Sequence, residues 1–395
     1  MPPAKKKTAA STKTSSPKKT AEPVTRFAHP YFTPVPPDQR SRMVDHVQGT
    51  LNPIPARKRA TDMTLADVLG KDGADKIAAT KQITMHVAGD TGVPEIDTET
   101  KQVLVADAMA KDYDVNHPDT SPAFFLHLGD VIYGPNPDSF RDQFYRAYVH
   151  YPGKILAIPG NHDGETPDKI KAFQDNFCAP TQAVPTKIAG TIYRQTMNQP
   201  GVYWFLDAPF VQIVGMYSNS AENPGYISSP HIGQVQKQWL VNTLKTIKAS
   251  RGTDRRKALL FATHHPPFST GGHGGSTDML KDIDDACKQA GIMPDAFFSG
   301  HAHSIQRYTR SVSFGGTTLK IPYVVSGCGG HGGQTVPKAT KAPTKEDPNT
   351  TFDFSYMGWG FTTLKITSTT LTITSFGVDA SGNRSQIDSK TVNLT

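Results

Sequence analysis

Short apolar runs recur along the chain from about residue 62 and alternate with segments in which apolar side chains return every three or four positions. The runs are rich in β-branched and aromatic residues and are bounded by Gly, Pro, Asn or Asp, which is typical of buried strands. The predicted strands are 83–89, 123–129, 155–159, 202–207, 210–216, 258–264, 296–300 and 323–327.

Helical stripes of apolar residues lie between several of these strands, at 140–148, 235–247 and 280–287. Strands that alternate with helices predict an α/β fold with largely buried sheets. Near the end of the chain, residues 364–378 alternate apolar side chains with Thr in two runs that meet at 368–370. This second pattern predicts a β-hairpin.

The N-terminal segment differs in composition from the rest of the chain. Residues 1–26 contain seven Lys or Arg and one acid, Glu22, so they carry six of the seven formal net positive charges. With almost no apolar side chains, this Lys-rich tail is predicted to be disordered, as a spacer or as a segment that touches an anionic polymer or lipid. A Pro-rich extended arm is predicted at 27–61, followed by one catalytic domain at 62–395.

The cysteine pattern bears on the compartment. Cys178, Cys287 and Cys328 lie far apart and form no C-x-x-C pair, which favours a reducing environment and a cytoplasmic protein. We see no secretory signal, because nothing apolar follows the first lysines. No apolar run approaches the roughly 20 residues of a membrane-spanning helix, so we expect no transmembrane segment.

Five of the predicted strands end in residues that bind metals or move protons. Sites in open α/β sheets form at the carboxyl ends of the strands, and a preceding glycine lets the backbone turn sharply there. The five ends are GDTG (89–92), GDVIY (129–133), GNHD (160–163), THHPP (263–267) and GHAH (300–303).

The types of these side chains predict a metal centre. Carboxylate, amide and imidazole ligands suit Mn, Fe or Zn, and the absence of Cys from the strand ends argues against a thiolate site. The donors are too numerous for one open ion and suit two. Two ions about 3.5–4 Å apart can hold the attacking and leaving oxygens of a displacement at phosphorus and can activate a bridging water.

The five motifs, in this order, resemble the blocks of the calcineurin-like metallophosphoesterases, over about residues 83–375. The combination GDxG, GDxxY, GNHD, HxP and GHxH is most similar to the purple acid phosphatases. The resemblance implies a two-sheet β-sandwich flanked by helices, a four-layer αββα fold. Two features depart from the pattern of that branch: its secreted members carry targeting signals, which this sequence does not show, and the Lys-rich tail is not part of their pattern.

The resemblance also implies a ligand set for two divalent or mixed-valence ions. One ion would be held by Asp90, Asp130 and His303. The other would be held by the bridging Asp130 together with Asn161, His264 and His301.

Two ligand assignments stay open. Many members of the family have D-x-H where this chain has Asp90-Thr91-Gly92, and Tyr133 stands where a tyrosinate replaces that histidine in purple acid phosphatases. Tyr133 either binds metal in this way or packs at the base of its loop. Of the pair His264 and His265, the family's His-x-Pro block favours His264 as the ligand.

Three catalytic assignments follow from the resemblance. His162 would protonate the leaving group as general acid, and Asp163 would orient its imidazole and raise its pKa. Purple acid phosphatases have a histidine that faces the phosphate, and His273 follows His264 at a similar distance along the sequence. His273 would therefore assist catalysis. The alternative for His273 is a mobile surface residue in GGHGGS.

The sequence thus predicts a binuclear metal-dependent hydrolase of a small-molecule phosphate ester, most simply a phosphomonoesterase. A metal-bridging hydroxide would attack phosphorus while His162 protonates the departing alkoxide. Two alternatives remain: a phosphodiesterase acting on a cyclic nucleotide or a phospholipid, and a catalytically silent metal-binding scaffold. The metals expected are iron, manganese or zinc.

Overall fold

A computed structural model of the chain describes residues 25–26, 34–35, 47–93, 99–114, 116–117, 120–134, 136, 138–166, 168–183, 188–251 and 256–394. Most of the predicted tail (residues 1–26) lies outside these ranges. So does the first part, up to residue 46, of the arm predicted at 27–61, apart from residues 34–35. Their disorder, their partners and the domain boundaries remain predictions.

Strands and helices alternate through the first two thirds of the chain, and strands alone complete it. The strands are β1 (Thr25–Arg26), β2 (Pro34–Val35), β3 (Met63–Thr64), β4 (Gln82–Ala88), β5 (Phe124–His127), β6 (Lys154–Ala157), β7 (Trp204–Ala208), β8 (Val211–Gly215), β9 (Ala258–Thr263), β10 (Ala296–Ser299), β11 (Ile305–Phe314), β12 (Thr317–Ser326), β13 (Thr350–Tyr356), β14 (Trp359–Thr367), β15 (Thr370–Val378) and β16 (Arg384–Asn393). The helices are α1 (Leu65–Ala79), α2 (Glu99–Ala110), α3 (Lys171–Phe177), α4 (Val235–Ser250) and α5 (Thr277–Ala290), with a π-helical turn at Arg141–Tyr145 and a 3₁₀ turn at His162–Gly164.

Two mixed sheets form the body of the protein. In the described residues, one sheet has eight strands in the order β13-β11-β12-β10-β9-β8-β7-β3, and the other has six in the order β16-β15-β14-β4-β5-β6. Strands β4, β5 and β6 are parallel neighbours, as are β9 and β10. The carboxyl ends of each parallel group therefore meet at one edge of its sheet.

The sheets pack face to face with helices on their outer surfaces. Along β7, Trp204 and Leu206 lie in the core between the sheets, whereas Phe205 lies in the core under the helices α4 and α5. This alternation follows from the two-residue period of a strand. The α/β fold with two sheets flanked by helices, expected from the sequence, is confirmed.

All eight strands and the hairpin predicted from apolar runs are present, with ends shifted by a few residues. The strands that the pattern did not predict include β11, β13 and β16. Strands β13 and β16 lie at the ends of their sheets and are rich in Thr, Ser and charged residues, so they lack the apolar run that marks a buried strand. Within the described ranges, no helix combines the length and apolar character that a membrane span requires.

Candidate metal centre

The predicted ligands come together where the two sheets present the carboxyl ends of their parallel strands. Strands β4, β5 and β6 are followed by Asp90, Asp130 and Asn161, and β9 by His264. His301 and His303 follow β10. All six side chains are buried.

Three of these residues have a backbone conformation that non-glycine residues rarely adopt. Asp90, Asp130 and His301 have φ angles of 56°, 53° and 66°. This left-handed region costs a residue with a Cβ free energy and is concentrated at functional sites. Neighbouring strands hold the conformation, because Asp90 N–H donates to the Gly129 carbonyl at 2.9 Å and His301 N–H donates to Asp90 Oδ2 at 2.7 Å.

The approach of one strand end to another depends on glycine. A methyl group placed on Gly160 would overlap Asp130 Oδ1, and one on Gly300 would crowd Asp90 Oδ2. The glycine that precedes the ligand in these motifs therefore leaves room for the carboxylate of the neighbouring motif.

One half of the centre surrounds His264. Its Nε2 lies 3.2 Å from Asp130 Oδ2, 3.0 Å from Asn161 Oδ1 and 3.2 Å from His301 Nδ1. The Nδ1 atom of His264 faces the Leu128 carbonyl oxygen at 2.9 Å, which orients the ring so that Nε2 points inward. Ligand atoms of Asp130, His264 and His301 all lie within 4.8 Å of one another, a spacing suited to one ion.

The other half of the centre surrounds His303. Its Nε2 lies 3.5 Å from Asp90 Oδ1 and 3.3 Å from the Tyr133 hydroxyl. Its Nδ1 contacts the Gly332 carbonyl oxygen at 2.7 Å. Asp90 Oδ1 lies 4.0 Å from His264 Nε2, so the two halves adjoin.

The residues present fit metal ions. Asp90 Oδ1 and Asp130 Oδ2 are buried and make no hydrogen bond of good geometry, although His264 Nε2 lies 3.2 Å from Asp130 Oδ2 and buried acceptors are nearly always satisfied in folded proteins. Burial raises the pKa of the Asp90 carboxyl well above its usual range; the positive charge of His264 opposes this rise and the negative charge of Asp130 adds to it. A cation beside these oxygens would interact favourably with both and would lower the pKa of the Asp90 carboxyl again.

Tyr133 is held between two histidine rings. Its ring stacks on His331 with centroids 3.7 Å apart, and it contacts the His162 ring at 4.4 Å. Burial, together with the charges of Asp130 and Asp90, raises the pKa of Tyr133 well above its usual range. The Tyr133 hydroxyl lies beside His303, where a metal ligand would lie. Its ring also packs against His331, as expected if Tyr133 packs at the base of its loop.

His265 has both ring nitrogens engaged outside the centre. Its Nδ1 lies 2.8 Å from Ser218 Oγ and its Nε2 lies 2.8 Å from the Ala221 carbonyl oxygen. Of the adjacent pair, His264 is therefore the residue whose imidazole faces the other ligands.

The expectation that Asp163 orients the His162 imidazole is wrong. Asp163 Oδ1 accepts hydrogen bonds from the N–H groups of Val131 and Ile132 at 3.0 and 3.2 Å, and Oδ2 accepts one from Gly160 at 2.8 Å. Asp163 thus joins the backbone of two strand ends. Both carboxylate oxygens of Asp163 are therefore engaged by backbone N–H groups, and no contact in the described residues joins Asp163 to the His162 ring.

Glu165 takes the role expected of Asp163. Its Oε2 lies 2.8 Å from His162 Nδ1, and the His162 N–H donates to Asp130 Oδ1 at 3.0 Å. Burial lowers the pKa of His162, but the charges of Asp130, Glu165 and Glu222 together raise it to about 9. The spacing of three residues between His162 and Glu165 was a signal in the sequence that could have revealed this pair.

His273 is buried beside the metal ligands, so it is not the mobile surface residue of the alternative. Its ring centroid lies 4.1 Å from that of His301. Asn223 Nδ2 lies 3.0 Å from both His273 Nδ1 and His301 Nε2. Sequence patterns did not indicate Asn223, because it comes from a loop with no motif.

Two further histidines have structural contacts. His86 and His127 are fully buried within strands and contact Tyr151 and Thr91 respectively.

The fold recurs in solved structures. The chain is similar to GAP50, described as the anchor in the inner membrane complex of Plasmodium, with 12% identity over 80% of this chain and 90% of that chain and a TM-score of 0.53. It is also similar to the purple acid phosphatase PPD1 from yellow lupin (Lupinus luteus), with 15% identity over 80% of this chain and 54% of that one and a TM-score of 0.51. At these identities the likeness concerns the fold alone, and no curated protein matches the sequence.

The sequence itself matches the family model of the calcineurin-like phosphoesterases over residues 83–304, more than half of the chain. The matched region begins in β4 and ends just after the last histidine of the centre, His303. The chain belongs to the calcineurin-like phosphoesterase family.

Proposed function

We propose that the protein is a metal-dependent hydrolase of phosphate monoesters with a binuclear centre. The observation that carries this proposal is the pair of buried oxygens, Asp90 Oδ1 and Asp130 Oδ2, on which imidazole nitrogens converge at 3.5 and 3.2 Å without a hydrogen bond of good geometry. A structural role for these carboxylates would leave both oxygens unsatisfied at a cost of about 1–3 kcal/mol each, or more for charged groups.

Two ions are proposed because the donors fall into two adjoining halves. Asp90, Asp130, His303 and Tyr133 would hold one ion, and Asp130, Asn161, His264 and His301 the other. The mixed oxygen and nitrogen donors suit iron, manganese or zinc. When bound, such ions supply Lewis acidity toward the phosphoryl oxygens and lower the pKa of water.

His162 is proposed as the general acid. Its Nδ1 is engaged by Glu165, so Nε2 is the nitrogen that would deliver a proton to the departing oxygen. A pKa raised to about 9 keeps the imidazole protonated near neutral pH, as this role requires.

His273 is proposed to assist on the phosphate side of the centre. It lies against His301 and is steadied by Asn223, which also contacts His301. A buried imidazole in this position can donate a hydrogen bond to a phosphoryl oxygen as negative charge develops there.

The location of the protein and the partner of its tail stay predictions. The cytoplasmic assignment rests on the cysteine pattern, and an anionic polymer or lipid as partner of residues 1–26 rests on charge alone.

The testing experiment compares kcat/KM for p-nitrophenyl phosphate and bis-p-nitrophenyl phosphate on enzyme reconstituted with Mn or with Fe and Zn. We expect a preference for the monoester. A preference for the diester would replace the proposal with a phosphodiesterase. Binding of metal without hydrolysis of either ester would point to a silent scaffold.

Variants test the assignment of roles. Asp130→Ala is expected to lose bound metal and turnover together, whereas His162→Ala keeps its metal and loses turnover by about 100-fold or more. His150→Ala is the matched control, because the His150 side chain is 73% exposed and its ion pair, with Asp107 at 3.4 Å, lies outside the metal centre. Unchanged rates in both site variants would contradict the proposal.

A further inference from the structure

Two of the ligand imidazoles share one arrangement. Nδ1 of His264 faces the Leu128 carbonyl oxygen at 2.9 Å, and Nδ1 of His303 faces the Gly332 carbonyl oxygen at 2.7 Å. Both rings therefore turn Nε2 toward the carboxylates of the centre and have an oxygen acceptor behind them. An acceptor in this place fixes the tautomer and the orientation of a ligand imidazole.

His301 faces the centre with the opposite nitrogen. Its Nδ1 lies 3.2 Å from His264 Nε2, whereas its Nε2 lies 3.0 Å from Asn223 Nδ2. With Nδ1 as the ligand atom, the one ring proton of the neutral imidazole resides on Nε2. A protonated Nε2 requires an acceptor, and the side chain that faces it is the amide of Asn223.

The amide of Asn223 can supply this acceptor without a change of shape. Its Nδ2 lies 3.0 Å from both His301 Nε2 and His273 Nδ1, while Oδ1 is buried and has no hydrogen-bond partner among the described residues. A half-turn of the amide exchanges oxygen and nitrogen in place, because the two ends are nearly identical in size. The oxygen then lies between the two imidazoles and can accept from both with its two lone pairs.

The backbone beside Asn223 is fixed by contacts on both sides of the loop. Gly225 N–H donates to Ser276 Oγ at 2.9 Å, and Tyr226 N–H donates to the Ser218 carbonyl oxygen at 2.9 Å. Asn223 itself is 2% exposed. The loop therefore holds the amide against the ligand ring and shields it from water that could replace it.

We propose that Asn223 is a positioning residue for the metal ligand His301. Its side-chain oxygen accepts a hydrogen bond from His301 Nε2–H and so directs Nδ1 toward the ion. The inference rests on the proposed function, because it requires that the centre binds metal. The same oxygen adjoins His273 Nδ1, so one amide would orient both a ligand and the imidazole proposed to face the phosphate.

Metal affinity is the first readout. Loss of the partner behind a ligand typically weakens metal binding by about 10- to 100-fold, and Asn223→Leu, which has no acceptor, should lower the affinity for Zn²⁺ by this factor. Asn223→Asp keeps an acceptor oxygen and adds a negative charge, so it should bind Zn²⁺ at least as tightly as the wild type. Calorimetric titration of the three proteins gives the affinities.

Asn176 provides the matched control. It is also 2% exposed, but its amide contacts the Tyr145 hydroxyl at 2.7 Å and the Ala172 carbonyl oxygen at 2.9 Å, away from the metal ligands. Asn176→Leu should lose stability in urea unfolding and keep the wild-type affinity for Zn²⁺. An unchanged affinity in Asn223→Leu, or an equal loss in Asn223→Asp and Asn223→Leu, would overturn the inference.

Proton NMR of the Co²⁺-loaded protein gives a second readout, which a general loss of packing would not reproduce. The ring N–H of each metal-bound imidazole gives a strongly shifted signal, and we expect one each from His264, His301 and His303. In Asn223→Leu the His301 signal should be lost through exchange with water. The other two signals should remain, because their N–H groups face backbone carbonyls. Retention of all these signals would contradict the inference.

Asn223→Asp keeps the test decisive if Asn223→Leu does not fold. A carboxylate behind His301 should shift the N–H signal of that ring and leave the signals of His264 and His303 in place. An unshifted His301 signal would show that residue 223 is not its acceptor.

The proposed function can fail separately from this inference. Zn²⁺ binding that Asn223→Leu weakens, in a wild type that hydrolyses neither p-nitrophenyl ester, would support the inference and refute the hydrolase. Hydrolysis with an affinity that Asn223→Leu leaves unchanged would refute the inference alone. A wild type that binds no metal would overturn both.

Discussion

Asn52 and Asn219, separated by 166 residues in the chain, exchange a pair of hydrogen bonds. Asn52 N–H donates to Asn219 Oδ1 and Asn219 Nδ2 donates to the Asn52 carbonyl oxygen, both at 2.8 Å. Asn52 Nδ2 also donates to the Gly164 carbonyl oxygen at 3.2 Å. The last part of the predicted arm therefore links the loop of Glu222 to the turn that carries His162.

Asn219 is fully buried and has a φ of 75°, a region that asparagine tolerates better than most residues. We expect Asn219→Ala to lower the free energy of unfolding by about 2–4 kcal/mol, from lost hydrogen bonds and backbone strain. Asn219→Gly loses the same bonds without the strain and should be about 1 kcal/mol more stable than the alanine variant. Urea unfolding measures both, and equal stabilities would show that strain is not part of the effect.

Substitutions of Asp163 and Glu165 should have different effects: the first should reduce stability and the second should reduce catalysis. Asp163→Asn places an amide against backbone N–H donors and is expected to lower the free energy of unfolding by about 3 kcal/mol. Glu165→Gln should unfold like the wild type but lose about tenfold in kcat/KM with phenyl phosphate and much less with p-nitrophenyl phosphate, because a poor leaving group needs the general acid more.

The opposite result would be a larger loss of kcat/KM with phenyl phosphate than with p-nitrophenyl phosphate in Asp163→Asn but not in Glu165→Gln. It would support Asp163 as the residue that orients His162. Thermal unfolding and initial rates on the two esters provide the measurement.

Gly160 is expected to control metal affinity without being a ligand. A side chain there would displace Asp130, so Gly160→Ala should weaken metal binding by about 10- to 100-fold, as losses around a metal site commonly do. Gly333→Ala is the matched control, since a methyl group there meets no atom within 4 Å. Metal titration of both variants checks this, and equal affinities would contradict the geometry.

His86 should make the fold sensitive to acid. Burial lowers its pKa from 6.5, against the opposing effect of Asp112, whose Oδ2 lies 2.9 Å from Nε2; Arg384, the partner of Asp112, favours the neutral form. The remaining ring nitrogen faces the Tyr151 hydroxyl at 3.0 Å.

Because the unfolded chain binds a proton at His86 more readily than the folded one, stability should fall as pH drops below about 6.5, by at most about 1.4 kcal/mol per pH unit. The free energy of unfolding stops decreasing once the pH is below the pKa of His86 in the folded protein. His86→Gln should show a smaller decrease between pH 7 and 5 in urea unfolding. Parallel curves for the two proteins would exclude His86 as the cause.

The sequence by itself determined the fold class and the order of the ligands along the chain. Apolar runs of strand length that alternate with helical stripes require an α/β arrangement, and parallel strands end at a common edge. The sequence alone therefore indicates that six ligands lie near one another: Asp90, Asp130, Asn161, His264, His301 and His303. Their local signal is strong because each follows a buried strand.

The tertiary structure decided which side chain meets which partner. Asp163 turns toward the backbone of Val131 while Glu165 reaches His162, a distinction that depends on the rotation of one tight turn. Glu222 and Asn223 enter from a loop without periodicity, so no local pattern indicates them. Contacts between residues distant in the chain depend on how loops pack over the sheets, and that packing is a property of the whole fold.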